Sequence, residues 1–350
     1  MIWIRADGGR EVGMGHIVRC LAIASALREL GEDVCFLTAD DSAVPFLEER
    51  GQAYKILHSS YARPEEELGV LLPILAGSGK GALLADSYYV TCEYLKQAGN
   101  CIPVCRMDDM GIADLPADMV INYNIFADES LYLKAGKGVK TVYLTGTEYA
   151  PLRPEFRNVS YQVRDKAEKV LITTGGSDRY NLAGQILELA LNTPDTGGLE
   201  YCVVSGAFNA HSGQLAKLAE NHHNVHIYSN VADMAHLMQE CDIAVTAGGS
   251  TMYELCAVGT PAICFSFVDN QEKIVEGFRE RGLVSFGGDY LRQGQDMVKN
   301  VVEHLGILVK DAGLRSEYSR KMKEQVDGRG AVRIAEKLRE LANLVFTRKP

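Results

Sequence analysis

Gly13-Met14-Gly15-His16 stands where an apolar helical pattern begins. Glycines there let the backbone approach a ligand closely, and the free amides of a helix start favour negative charge. An imidazole titrates near neutral pH, as a general base requires. A helix N-terminus also disfavours its protonated form. This makes His16 the candidate base, with Gly15 beside it; the plainer role is a helix cap or a carboxylate partner. Thr173-Thr174-Gly175-Gly176-Ser177-Asp178 follows an apolar run and is either a phosphate cradle or a simple tight turn.

A third segment, Ala247-Gly248-Gly249-Ser250-Thr251-Met252-Tyr253-Glu254, has the same strand, glycine and helix character. Ser250 or Thr251 can cap the helix, exposed amides suit a diphosphate, and the Glu254 carboxylate can accept both hydroxyls of a ribose. Thr251 and Glu254 equally fit a capping box. Asp269-Asn270-Gln271 offers amide side chains for a polyhydroxylated or acetamido substrate, or else helix caps. Asp86-Ser87-Tyr88 and Asp108-Asp109 leave predicted strand ends; they support His16, touch the substrate or cap helices, with capping favoured for Asp108.

Several chemistries find no matching pattern. There is no Gly-x-Gly-x-x-Gly fingerprint, no P-loop lysine motif and no Gly-x-Ser-x-Gly elbow. The acids lack a His or Cys at ligand spacing, so no metal is expected, and His222-His223-Asn224-Val225-His226 reads as a polar surface loop.

Positioning these segments requires parallel sheets. Short apolar runs alternate with helical patterns over most of the chain. The predicted strands of the first half are Ile2–Arg5, Asp33–Leu37, Ala53–Ile56, Ala82–Ala85, Ile102–Met107, Met119–Asn122 and Thr141–Leu144. Those of the second are Lys169–Thr173, Glu200–Val204, Val225–Tyr228, Ile243–Thr246 and Ala262–Phe265. Each half opens with a strand, a glycine turn and a helix, the second helix beginning near Tyr180. The expectation is an α/β chain of two Rossmann-like domains facing each other across a cleft, with ligand at the carboxyl ends of the strands. Pro151 and Pro154 place the boundary near 146–157, giving domains 1–150 and 151–350, with the last helix packing back on the first.

Bulk properties agree. At about 150 residues per domain, 350 residues fit two domains, and 47% hydrophobic with 23% charged residues is a globular balance. A net charge of -10 offers no broad basic face for nucleic acid. No stretch reaches the roughly 18 apolar residues of a membrane span, and charge at Arg5 and Asp7 breaks any signal-like start. Nine scattered cysteines suit a reduced, cytoplasmic protein. A monomer or weak dimer is expected.

The segment Arg5-Ala6-Asp7 followed by Gly13-Met14-Gly15-His16-Ile17-Val18-Arg19 resembles the opening of the UDP-2,4-diacetamido-2,4,6-trideoxy-β-L-altropyranose hydrolases of pseudaminic acid biosynthesis. The likeness continues through Asp86-Ser87-Tyr88, Asp108-Asp109, Tyr149–Phe156, Gly175–Asp178, Glu254, Asn270-Gln271 and Asp327-Gly328-Arg329-Gly330-Ala331, nearly the whole chain. It implies a fold of the glycosyltransferase-B type, related to the glucosaminyltransferase that makes lipid II. It further implies metal-free, cofactor-free cleavage of the sugar C1–O bond with inversion, releasing UDP. By position, His16 resembles the base that activates water and Glu254 the ribose-binding carboxylate. Asn270 and Gln271 resemble sugar or diphosphate contacts, and Gly15, Tyr88, Thr174, Gly175, Gly176, Ser177, Ser250 and Thr251 complete the expected contact set. Helix N-termini at Gly175–Asp178 and Gly248–Thr251 would receive the departing charge. Gly248-Gly249-Ser250-Thr251 is closer to the sugar transferases, so the alternative is an inverting UDP-sugar glycosyltransferase of surface or spore-coat polysaccharide assembly.

Overall fold

A computed structural model describes residues 1–132, 141–206 and 208–344, with the side chain of Asn270 outside the described set. The chain divides into two compact units, the first made of Met1–Pro154 with the chain from Arg329 onward, the second of Glu155–Gly328.

The first unit carries β1 (Ile2–Ala6), β2 (Val34–Thr38), β3 (Tyr54–Ile56), β4 (Ala82–Asp86), β5 (Val104–Met107), β6 (Met119–Asn122) and β7 (Val142–Thr145). All pair in parallel in the order β3-β2-β1-β4-β5-β6-β7. Helices α1 (Gly15–Glu29), α2 (Val44–Glu49), α3 (Leu68–Ala76) and α4 (Cys92–Cys101) lie in the crossovers. β1 and β4 are buried along their whole length, as central strands covered on both sides must be. Trp3, Leu37, Leu83 and Val104 pack with Leu71, Leu75 and Tyr94 of α3 and α4 in one continuous apolar cluster.

The second unit carries β8 (Lys169–Thr173), β9 (Glu200–Val204), β10 (Val225–Tyr228), β11 (Ile243–Ala247), β12 (Ala262–Ser266) and β13 (Ser285–Asp289). These run in the order β10-β9-β8-β11-β12-β13, again all parallel. Its helices are α5 (Leu182–Leu191), α6 (Ser212–Asn221), α7 (Met234–Glu240), α8 (Thr251–Val258), α9 (Glu272–Glu280), α10 (Tyr290–Gln293), α11 (Gln295–Lys310) and α12 (Ala312–Gln325). The last helix, α13 (Gly330–Asn343), belongs to the first unit and packs on α1. The late glycines make that return possible, because a Cβ on Gly330 would overlap the Ala150 backbone and Gly328 holds φ +75°.

Sequence pattern misses one strand, β13. Its Ser-Phe-Gly-Gly-Asp composition is poor in strand formers. Gly287 is required because a Cβ would run into Val301 of α11, and Gly288 holds φ +123° where the register with β12 shifts. Packing, and not propensity, makes this edge strand.

One buried charge cluster ties the first sheet to its helical layer. The Arg5 side chain donates from Nε and Nη2 to the two Glu67 oxygens at 2.6 and 2.9 Å, and from Nη1 to Asp7 at 2.5 Å. Glu67 also accepts from Tyr94 at 2.6 Å and Ser59 at 2.7 Å, and Asp7 from the Ala39 amide at 2.8 Å. Asp7 thereby starts the loop to His16 from a fixed point. Removing one partner of such a buried pair strands the other charge, a loss of about 3–5 kcal/mol. Glu67→Ala is therefore expected to lower the urea midpoint sharply, whereas Glu66→Ala, on an exposed side chain, should leave it within error.

Candidate functional site

In open parallel sheets, ligands bind beyond the carboxyl ends of the strands where the strand order reverses. In the first unit that point lies between β1 and β4, where Ala6 pairs with Asp86. The loop after β1 leads into α1, whose N-cap, Met14, makes no side-chain capping bond. His16 is in the first turn, buried, with Gly15 exposed beside it.

His16 Nδ1 lies 2.7 Å from Asp86 Oδ1. An ionised carboxylate only accepts, so Nδ1 carries a proton, and in the neutral form of the ring the lone pair is on Nε2, which bonds to no described residue. The Arg19 guanidinium lies against Asp86, with Nε donating at 2.6 Å to Oδ2 and Nη2 to Oδ1. It makes a two-pronged pair with Asp109 at 2.8 and 2.9 Å and donates to the Tyr123 hydroxyl at 3.1 Å. Arg19 Nη2 is also 3.0 Å from His16 Nδ1, a close approach of two donors. Cys20 donates its thiol to Asp86 Oδ2 at 3.3 Å. The exposed Tyr88 ring meets the imidazole edge-on, with centroids 4.7 Å apart. The arrangement can hold a neutral imidazole in one tautomer and stabilise it when it gains a proton.

Burial alone would push the Asp86 carboxyl up; the Arg19 charge and the hydrogen bonds from Arg19 and His16 outweigh it and hold the group well below the usual carboxylate range. Asp108 serves a different purpose. One oxygen accepts from the Met110 and Gly111 amides at 3.0 Å and the other from Tyr132 at 2.8 Å, so it caps a turn and not a helix. Sequence reasoning did not select Arg19. The available signal was its spacing, since a residue three positions after His16 shares its helix face.

In the second unit the order reverses between β8 and β11, and Thr246 pairs with Thr173. The loops beginning at Thr174 and Gly248 therefore emerge side by side. Gly175 holds φ +87°, and Gly175, Gly176 and Ser177 are exposed while Thr174 is buried. The Gly176 carbonyl accepts from the Phe208 amide at 3.1 Å, and Gly206 lies so close that a Cβ would overlap the carbonyl oxygens of Gly175 and Gly176. With these carbonyls turned into the protein, the intervening amide faces the other way.

One expectation fails here. The helix after this loop starts only at Leu182, and its leading amides, Leu182 and Ala183, donate to Asp178 at 2.7 and 2.8 Å. Asp178 thus neutralises the α5 end that Gly175–Asp178 was expected to offer a ligand. What remains open is the loop itself.

The third segment behaves differently. Helix α8 starts at Thr251, and Ser250, its N-cap, makes no side-chain capping bond. A capping box needs its hydroxyl at the N-cap, but Thr251 is already helical, so the capping-box reading of Thr251 and Glu254 does not describe this end. Glu254 stands in the first turn, half-buried. A Cβ on Gly248 would overlap Val275, so α9 presses directly on the loop. Gln271 packs there too, its Oε1 accepting from the Phe267 amide at 3.1 Å. Asn270, the remaining sequence candidate, has its side chain outside the described residues. Each unit thus brings its own candidates together at its own reversal point.

Among the described residues no three His, Cys, Asp or Glu side chains converge as a metal site, and no helix is long and apolar enough to cross a membrane.

Comparison with known proteins adds relatives to this geometry. Residues 170–276 match the glycosyltransferase family 28 C-terminal domain. The spore coat polysaccharide biosynthesis protein SpsG of Bacillus subtilis is 26% identical over 97% of this chain and 98% of its own. The UDP-2,4-diacetamido-2,4,6-trideoxy-beta-L-altropyranose hydrolase of Campylobacter jejuni is 25% identical over 80% of this chain and 97% of its own. Among solved structures, the calicheamicin glycosyltransferase CalG4 superposes with a TM-score of 0.67 at 14% identity, covering 98% of both chains. The fold, two parallel-sheet α/β domains, is that of the glycosyltransferase-B enzymes.

The Asp86 environment sets how stability responds to acid. Its folded carboxyl titrates below the unfolded value of about 4, so the stabilisation is complete above that pH and disappears as pH falls beneath it. Asp86→Asn should lower urea stability at pH 7 and flatten the loss between pH 4 and pH 2. An unchanged acid slope would show that the carboxylate contributes no such linkage.

Proposed function

We propose that this chain hydrolyses a UDP-linked 2,4-diacetamido-2,4,6-trideoxy sugar at the C1–O bond with inversion, in the cytoplasm and without metal or cofactor. The observation that carries the reading is the His16 tautomer: Nδ1 is held by Asp86, and Nε2 is left as an acceptor at the mouth of the first sheet. The Campylobacter jejuni hydrolase, similar along 97% of its own length, supplies the substrate class.

In this reading the second unit holds UDP. The Gly175–Ser177 loop and the α8 end at Ser250 and Thr251 meet the diphosphate with main-chain amides, and Glu254 accepts from the ribose. Gln271 and Asn270 serve the acetamido sugar, and Gly15 and Tyr88 line the base side. Water attacks C1 on the face opposite UDP and passes a proton to His16 Nε2. The C1–O bond breaks with its electron pair going to the diphosphate oxygen. Asp86 then faces an imidazolium, whose charge it offsets. One base with room for water suffices for inversion.

A transferase reading has its own support. SpsG matches along 98% of its length, and Tyr88, Tyr89, Met110 and Ile112 leave apolar surface exposed in the loops after β4 and β5. An acceptor hydroxyl would then replace water at the same imidazole.

The deciding assay is incubation with a panel of UDP- and CMP-sugars, no acceptor, following nucleotide release and the anomer formed. Release of UDP with an inverted free sugar, undiminished by EDTA, is expected; release only when an acceptor is added would establish the transferase. His16→Ala should cut turnover at least about a hundredfold with UDP affinity retained; intact turnover would remove His16 from the mechanism. Gly206→Ala tests the nucleotide side, since the new Cβ must displace the Gly175–Gly176 loop. Calorimetry should show UDP binding weakened by about tenfold, or 1.4 kcal/mol, against an unaffected Gly213→Ala, where nothing lies within 4 Å. Equal affinities would separate this loop from nucleotide binding.

A further inference from the structure

The cluster around His16 contains two residues that the proposed reaction does not use. Arg19 lies against both Asp86 and the ring and is joined to Asp109 by the two-pronged pair at 2.8 and 2.9 Å. The Arg19 side chain is 12% exposed and Asp109 18%, so this ion pair is largely shielded from solvent and salt. Its geometry is directional. Nε and Nη2 of Arg19 grip both oxygens of Asp86 from one side, so that Oδ1 is left pointing at His16 Nδ1. A lysine could supply the charge but not this fork.

We propose that Arg19 and Asp109 are positioning residues that set the protonation of His16. Asp109 anchors the guanidinium, the guanidinium orients Asp86, and Asp86 fixes the proton on Nδ1. The proposal deepens the reading of His16 as a base and rests on it for its catalytic meaning.

The charges explain why both residues are needed. Arg19 contributes one positive charge and Asp86 and Asp109 one negative each, so the cluster next to the ring carries a net single negative charge. Without Arg19 the two carboxylates would leave two negative charges beside the ring and favour the imidazolium strongly. A guanidinium without Asp109 would do the reverse and repel the proton taken from water. The pair of carboxylates sharing one guanidinium, at one net negative charge, lies between these limits.

The other titratable groups around the ring do not compete for this role. Cys20 on α1 faces Asp86, and burial holds its thiol protonated and donating. Tyr123, after β6, is pushed up to about 12 by burial and stays a neutral hydroxyl toward Arg19. Tyr88, after β4, meets the imidazole ring in a T-shaped contact, and burial together with the neighbouring Asp109, which accepts from its hydroxyl, keeps that hydroxyl protonated. From α13, which packs on α1, Arg333 is directed to the Glu148 carbonyl at 2.9 Å.

The test needs neither substrate nor turnover. The imidazole carbon and nitrogen shifts of His16 are followed by NMR against pH in the whole chain, with the signal assigned by its loss in His16→Ala. Arg19→Gln leaves two uncompensated carboxylates and should raise the His16 midpoint by about one pH unit, while Asp109→Asn should lower it by a similar amount. Arg19→Lys should restore the midpoint toward the wild-type value but not the nitrogen shift pattern of a ring fixed as the Nδ1–H tautomer. Folding of each variant is checked by its urea transition, and Asp109→Asn, at a partly exposed position, keeps the test available if Arg19→Gln does not fold. Opposite shifts support the proposal; midpoints that stay in place, or move the same way, overturn it. Retained turnover in His16→Ala would instead defeat the function reading, leaving the NMR result to stand on its own.

Discussion

The carboxylate of Asp86 is the constraint on which the first unit's chemistry depends. It sits at the end of a strand buried on both sides, and a buried carboxylate is tolerated only when charge and hydrogen bonds replace the water it has lost. Arg19, His16 and Cys20 are those replacements, and all three project from the first two turns of α1. The need to satisfy one acid thus fixes the rotation of the helix, the tautomer of the imidazole and the direction of its free nitrogen together. Arg5, Asp7 and Glu67 do the same at the end of the neighbouring strand, holding the start of the loop that delivers His16.

The second unit reaches its candidate site by a different physical route. There the shaping interactions are close approaches of backbone with no side chain between: Gly206 against the Gly175 and Gly176 carbonyls, and Gly248 against Val275. The Gly206 contact turns the Gly175 and Gly176 carbonyls inward and leaves the loop's amides for a ligand, which suits a diphosphate whose charge is spread over many oxygens, whereas Gly248 gives its own amide to the Phe265 carbonyl. In the proposed reaction the charged network would position one nitrogen for proton transfer and the packed glycine loop would offer a diffuse positive edge. These two kinds of site suit the two tasks of the proposed reaction, and the match of residues 170–276 to a glycosyltransferase family 28 C-terminal domain falls on the second.

Hydrolysis and transfer differ only in what hydroxyl reaches the base. A single imidazole can activate water or a sugar hydroxyl, and the fold shared with the calicheamicin glycosyltransferase accommodates either. The polar cluster behind His16 is indifferent to that choice, whereas the exposed Tyr88, Tyr89, Met110 and Ile112 bear on it directly.

Periodicity and composition determined, unaided, the two parallel sheets, twelve of the strands, the glycine turns and the candidacy of His16. These are local properties: apolar runs, turn residues and helix starts are written in neighbouring positions. Three things were decided only in three dimensions. Strand β13 exists because α11 packs on Gly287, against its own weak strand propensity. The α5 end is closed because Asp178 turns back onto Leu182 and Ala183, a choice of rotamer that spacing leaves open. The partnership of His16 with Asp86 and of Arg19 with Asp109 joins residues 70 and 90 positions apart. Strand ends offered Asp86 and Asp109 as supports for His16 beside substrate-contact and capping roles, and only the sheet order, which places those ends side by side, selects the pairing.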